Sequence, residues 1–125
     1  MTRTEVGVRA GGRPGPKATG MSEHPTTGLN EIVHQRHRLG ILTIAAESKQ
    51  VDFGYLKKTL EMTAGNLSRH IGILEEAGMV KVEKGYAGKR PRTWVSITGE
   101  GKQALAGELA VLKALVAGIR RTQDD

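Results

Sequence analysis

A mainly helical chain with one small β-hairpin between its last two helices (α+β) is the fold that these 125 residues predict. Apolar residues recur at spacings of three and four through four separate stretches between Leu29 and Ile119, the period of a helix with one buried face. Between Met79 and Ile97, two runs rich in β-branched residues flank a glycine-containing centre, the pattern of a hairpin. Asp52, Thr63 and Thr98 each precede a helical stretch, where a side-chain oxygen can accept from the free N–H groups of a first turn.

The elements follow in order. Residues 1–28 are rich in Gly, Pro and Thr, carry no aromatic residue and show no apolar period, so they read as a flexible tail unable to offset the entropy of ordering. Gly12-Arg13-Pro14 within it is like the centre of an AT-hook, but the flanking arginine of that motif is missing, and a solvated tail is the reading adopted. Leu29, Ile32, Val33 and Arg36 open a helical register continuing through Leu39, Leu42, Ile44, Ala45 and Ala46, as one helix or as two short ones meeting near His34. Val51 and Phe53 suit a very short strand. Asp52 caps a helix that holds Phe53, Leu56 and Leu60 inward and turns Tyr55, Lys57 and Lys58 outward. After the turn Glu61-Met62-Thr63, a helix capped by Thr63 buries Leu67, Ile71 and Leu74 and leaves Gly65, Asn66, Arg69, Gly72, Ile73 and Glu76 on its other side. Gly78 stands where a left-handed helix end favours glycine. Met79, Val80 and Val82 begin a strand, Gly85 to Gly88 supply the turn, and Trp94, Val95 and Ile97 return. A last helix runs from about Gly99 to Arg121, with Leu105, Leu109, Leu112, Val116 and Ile119 in a heptad seam and Val111 and Leu115 widening it; residues 122–125 read as a flexible end. Residues 29–98 thus form a helix–turn–helix with a wing, and residues 99–121 a dimerisation helix.

Charge points to the partner. A net charge of +6 and an isoelectric point near 9.9 favour a polyanion. Residues 81–93 set Lys81, Lys84, Lys89, Arg90 and Arg92 against a single acid, Glu83, and so carry as much net charge as the whole chain after residue 28. Such concentration on a hairpin suits neutralisation of a phosphate backbone or entry into a minor groove. On the preceding helix, Asn66 suits an adenine edge and Arg69 a guanine, Ser68 suits a phosphate, and Gly65 allows close approach. Tyr55, Lys58 and Thr63 join this set, and His70, flanking the buried side, reaches a phosphate or caps a neighbouring helix. Ile73 meets thymine methyls or supports the wing.

Other classes find little support. Gly99-Glu100-Gly101-Lys102 follows a strand and opens a helix, yet lacks the spacing and the Ser/Thr of a phosphate-binding loop. No carboxylate pair suggests acid–base catalysis, so no enzyme is expected and no catalytic residue is assigned. His34 and His37 stand three apart with no completing ligand, and there is no cysteine, so neither metal nor cofactor is expected. No apolar run reaches the roughly 20 residues of a membrane span, and no signal-peptide core follows Met1, which makes a cytoplasmic, nucleoid-associated location the expectation.

From Leu29 to Ile119 the chain resembles the prokaryotic MarR/ArsR-like winged-helix transcriptional regulators, in the short single-domain branch with a C-terminal dimerisation helix. The resemblance rests on Asn66-Leu67-Ser68-Arg69-His70, Leu74-Glu75-Glu76-Ala77-Gly78, Gly88-Lys89-Arg90-Pro91-Arg92-Thr93 and Thr98 through Gly101. It implies a homodimer on a pseudo-palindromic duplex, recognition helices in successive major grooves and wings along the flanking backbone, with half-sites about one helical turn apart. It also implies that Leu105, Leu109, Leu112, Leu115, Val116 and Ile119 face the partner subunit. Metal-sensing relatives use cysteine clusters, which this chain lacks. Two alternatives stand beside this reading: a winged-helix module that binds protein through the Ile73 face, and a regulator switched by a small-molecule effector at the dimer interface.

Overall fold

The structure, a computed structural model, describes residues 24–124, which run in the order α1 (Arg36–Ala46), β1 (Val51–Asp52), α2 (Phe53–Thr59), α3 (Ala64–Glu76), β2 (Val80–Ala87), β3 (Arg90–Ile97) and α4 (Gly99–Asp124). The arginine–proline motif at Gly12–Pro14 lies outside the described residues. The last four residues of the stretch read as tail, Pro25–Gly28, form a 3-10 turn against α4, capped by the His24 ring, whose Nδ1 accepts from the Thr26 N–H.

The helical register beginning at Leu29 is not continuous. Asn30 Oδ1 accepts from the N–H groups of Ile32 and Val33 and closes a single turn. Gln35 then takes an extended conformation, and its side-chain oxygen accepts from the N–H groups of His37 and Arg38, so α1 starts at Arg36. Apolar spacing alone cannot register such a break, because the buried residue on either side of it, Val33 or Ile41, keeps the same three-four rhythm.

Downstream, the caps sit where the sequence placed them. Asp52 Oδ2 accepts from the Tyr55 N–H and starts α2; Thr63 Oγ1 accepts from the Asn66 N–H and starts α3. Helix α3 ends at Gly78 with φ +77°, a conformation that costs other residues strain. The turn between α2 and α3 holds Glu61 at φ 54° and buries Met62 beneath it.

Ile41 and Leu42 of α1, Leu56 of α2, Leu67 and Leu74 of α3 and Val95 of β3 are fully buried in one core, each aliphatic side chain contributing roughly 1.5–3 kcal/mol. The sheet order is β1-β3-β2, all antiparallel, with Val51 opposite Val95 and Val82 opposite Val95 on its other side. The hairpin arms are longer than the sequence suggests. Strand pairing continues through Gly85, Tyr86 and Ala87, and only Gly88 and Lys89 make the turn. Gly88 has φ +67° while Lys89 does not go positive, the mark of a type II′ turn with glycine first.

Helix α4 is docked at its start. Thr98 Oγ1 accepts from the Gly101 N–H at 3.0 Å and donates to the Gly78 carbonyl at 2.6 Å, joining the end of α3 to the start of α4. Gly101 in this first turn is buried against the Met79 backbone and Ile97.

Candidate nucleic-acid interface

Helix α3 divides into two faces. Leu67, His70, Ile71 and Leu74 are buried, while Gly65, Asn66, Ser68, Arg69 and Gly72 are exposed. A side chain at Gly65 or Gly72 would meet open space, so this face presents bare backbone between its polar groups. Helix α2 offers Tyr55 and Lys58 to solvent beside it, and the exposed Thr63 marks the helix start. Ile73 is half-buried.

His70 faces inward, which corrects its place among the DNA contacts. It is 4 % exposed, its Nδ1 lies 3.0 Å from Arg38 Nη1, and its ring centre lies 5.3 Å from that of His37. Arginine only donates, so Nδ1 is the acceptor and the ring is neutral. The same guanidinium donates through Nε to the Ile32 carbonyl, which ties the pre-α1 turn to α3. Burial, then the positive charges of Arg38 and Arg69 and, last, the neighbouring His37, hold the His70 pKa below the ordinary histidine range. Because the folded state resists protonation, His70 contributes stability that is fully present above about pH 6.5 and is lost as pH falls below that. Melting temperature should fall between pH 7.5 and 5, and His70→Gln should flatten part of that slope. An unchanged slope in the variant would remove His70 as its source.

The wing has two distinct faces, fixed by its register. Val80, Val82, Val95 and Ile97 lie on one, and the pairs Lys84–Thr93 and Tyr86–Pro91 continue that face outward. Lys84 and Thr93 meet Ser68, Gly72 and Glu75 of α3 across an open cavity of about 390 Å³ floored by Phe53, Ile71 and Val82. Pro91 is thus one pair from the tip. Lys89 and Arg90 are exposed at the tip. Arg92 differs from them: its Nη1 lies 3.3 Å from Asp52 Oδ1 and its guanidinium 5.9 Å from the Trp94 ring centre, so it braces the wing against the α2 cap. Sequence charge counts Arg92 with the free cations because its partner is 40 residues away.

The apolar seam of α4 also splits. Leu105 is 7 % exposed inside the chain's own core, which corrects its assignment to a subunit interface. Leu109, Val116 and Ile119 are about half-exposed, and Leu112 and Leu115 are half-buried. Between them sits a residue that sequence reading missed. Glu108 is fully buried, its Oε2 2.6 Å from His34 Nδ1 and its Oε1 accepting from the Asn30 N–H at 3.0 Å. An acid one helical turn beyond Leu105 was the available signal; its partners, more than 70 residues away, were not visible. His34 is engaged with this carboxylate, and among the described residues no group of three or more metal-binding side chains comes together. No helix among them is long and apolar enough to cross a membrane.

Comparison with known proteins agrees with this geometry. Residues 37–116, more than half the chain, match the family described as the winged helix DNA-binding domain. The Methanocaldococcus jannaschii protein MJ0432 is 37 % identical over 67 residues, 54 % of this chain and 73 % of its own length. The structure of a transcriptional regulator homologue from Pyrococcus horikoshii OT3 superposes with a TM-score of 0.72 at 34 % identity, covering 78 % of this chain and 98 % of its own. The transcriptional regulator BldR from Sulfolobus solfataricus shares the fold alone, with a TM-score of 0.61 at 22 % identity over 75 % of this chain and 70 % of its own. These matches agree with the winged-helix fold that the resemblance to MarR/ArsR-like regulators implies. With an exposed polar face on α3 beside a basic hairpin, and this agreement across most of its length, the chain belongs to the winged-helix DNA-binding family of transcriptional regulators.

Proposed function

We propose that the chain is a sequence-specific regulator that binds double-stranded DNA as a homodimer. Helix α3 enters the major groove, with Asn66 and Arg69 reading base edges and Ser68 contacting phosphate. Lys84, Lys89 and Arg90 neutralise the flanking backbone, while Tyr55, Lys58 and Thr63 border the helix entry. The observation that carries this reading is the coincidence of three features on one side: the exposed polar face of α3, its two open glycines, and the wing face that continues past it. The dimer reading rests on the exposed Leu109, Val116 and Ile119 of α4, an apolar stripe longer than a lone subunit requires.

The test is titration of the purified chain against duplex DNA from its own locus, with random-sequence competitor over a range of salt, alongside sedimentation equilibrium. Steep salt dependence with surviving preference for that DNA, together with a dimer mass, is the expected outcome. No binding at low salt would overturn the DNA reading and favour a protein-binding module. A monomer mass that persists on DNA would overturn the dimer.

A further inference from the structure

Tyr86 has no role in the reading above, yet it is the most exposed large apolar side chain among the described residues, at 75 %. It stands directly opposite Pro91, one pair from the Gly88-Lys89 turn. Alternation along the strands places this pair on the same face as Lys84 and Thr93, the face that looks onto α3 across the open cavity. The wing therefore carries, beyond the reach of the recognition helix, an apolar ridge of one aromatic ring and one proline. Lys84 lies in the next pair inward on the same face, and Lys89 and Arg90 are exposed at the adjoining tip.

An isolated apolar ring among cations is poorly suited to a protein core and well suited to a polyanion with apolar walls. In duplex DNA those walls are the deoxyribose rings, which line the minor groove between two rows of phosphates. We infer that Tyr86, backed by Pro91, packs against deoxyribose at the minor groove flanking the major-groove site, with Lys89 and Arg90 on the adjoining phosphates. This rests on the DNA-binding reading proposed above and adds to it a contact made by surface burial, where the neighbouring residues act by charge. Burial of an aromatic face changes affinity without releasing counterions, so its signature differs from that of the cations.

The experiment uses the full chain on a duplex that the wild-type protein enriches from a random pool, followed by salt titration and hydroxyl-radical footprinting, which reports deoxyribose accessibility. Wild-type protein should protect sugars in the minor groove flanking its major-groove site. Tyr86→Ala should lose that protection and bind roughly tenfold more weakly, with its salt slope unchanged. Tyr86→Phe should keep both the protection and the affinity, since the ring is retained. Both variants should melt with the wild type, because the side chain supports no core. The inference is overturned if Tyr86→Ala retains the flanking protection, if its salt slope falls, or if Tyr86→Phe loses as much as Tyr86→Ala. Failure of the wild-type protein to enrich any duplex would instead overturn the DNA-binding reading on which the inference rests.

Discussion

Gly101→Ala is expected to destabilise the chain by about 3 kcal/mol or more, the upper end of overpacking costs. Gly101 is buried in the first turn of α4, where an added methyl would overlap the Met79 carbonyl oxygen and lie 2.8 Å from Ile97 Cγ1. The first obstacle is backbone at the entry to the wing strand, and it cannot rotate aside. Relief requires α4 to lift from the sheet, which would stretch the Thr98 bridge to the Gly78 carbonyl. The same substitution at Gly107, six residues along the helix, meets nothing within 4 Å and should stabilise by about 0.5–1 kcal/mol through helix propensity. Urea unfolding of the two variants checks the contrast. Equal effects at both positions would show that the joint between α4 and β2 is looser than its geometry implies.

Arg69→Ala and Arg90→Ala should both weaken DNA binding, but in different ways. Arg69 stands on the exposed face of α3, so its loss should remove about 1–3 kcal/mol of discrimination and relax preference at one or two base pairs. Arg90 stands at the tip of the wing, two residues beyond Gly88, so its loss should weaken every duplex similarly and lower the salt slope by about one. Titration of both variants on preferred and random duplexes separates them. If both lost affinity equally on every sequence, the division between a reading helix and a neutralising wing would be wrong. Arg92→Ala is not equivalent to Arg90→Ala, because Arg92 also holds Asp52 and with it the start of α2.

Elements governed by neighbours in sequence are legible in the order of the residues themselves. Asp52, Thr63 and Thr98 each act on an N–H three residues away, Gly78 answers a local backbone need, and Leu67, Ile71 and Leu74 follow the helical period. The polar face of α3 is legible for the same reason, since one helix orders both of its faces. The charge of the wing needs only counting, and from these features alone the sequence determined the winged helix–turn–helix and its polyanionic partner. Gln35, capping residues two and three positions ahead with its side chain, settles the break near His34 that the sequence left open between one helix and two. What escaped the sequence depended on pairings across the fold. His70 turns inward because Arg38, 32 residues earlier, offers it a donor. Arg92 leaves the free cations for Asp52, Glu108 leaves the surface for His34 and Asn30, and Leu105 leaves the seam for the core. Periodicity and composition describe which residues a segment can bury or expose; which polar group finds a partner, and so can tolerate burial, was decided only by tertiary packing.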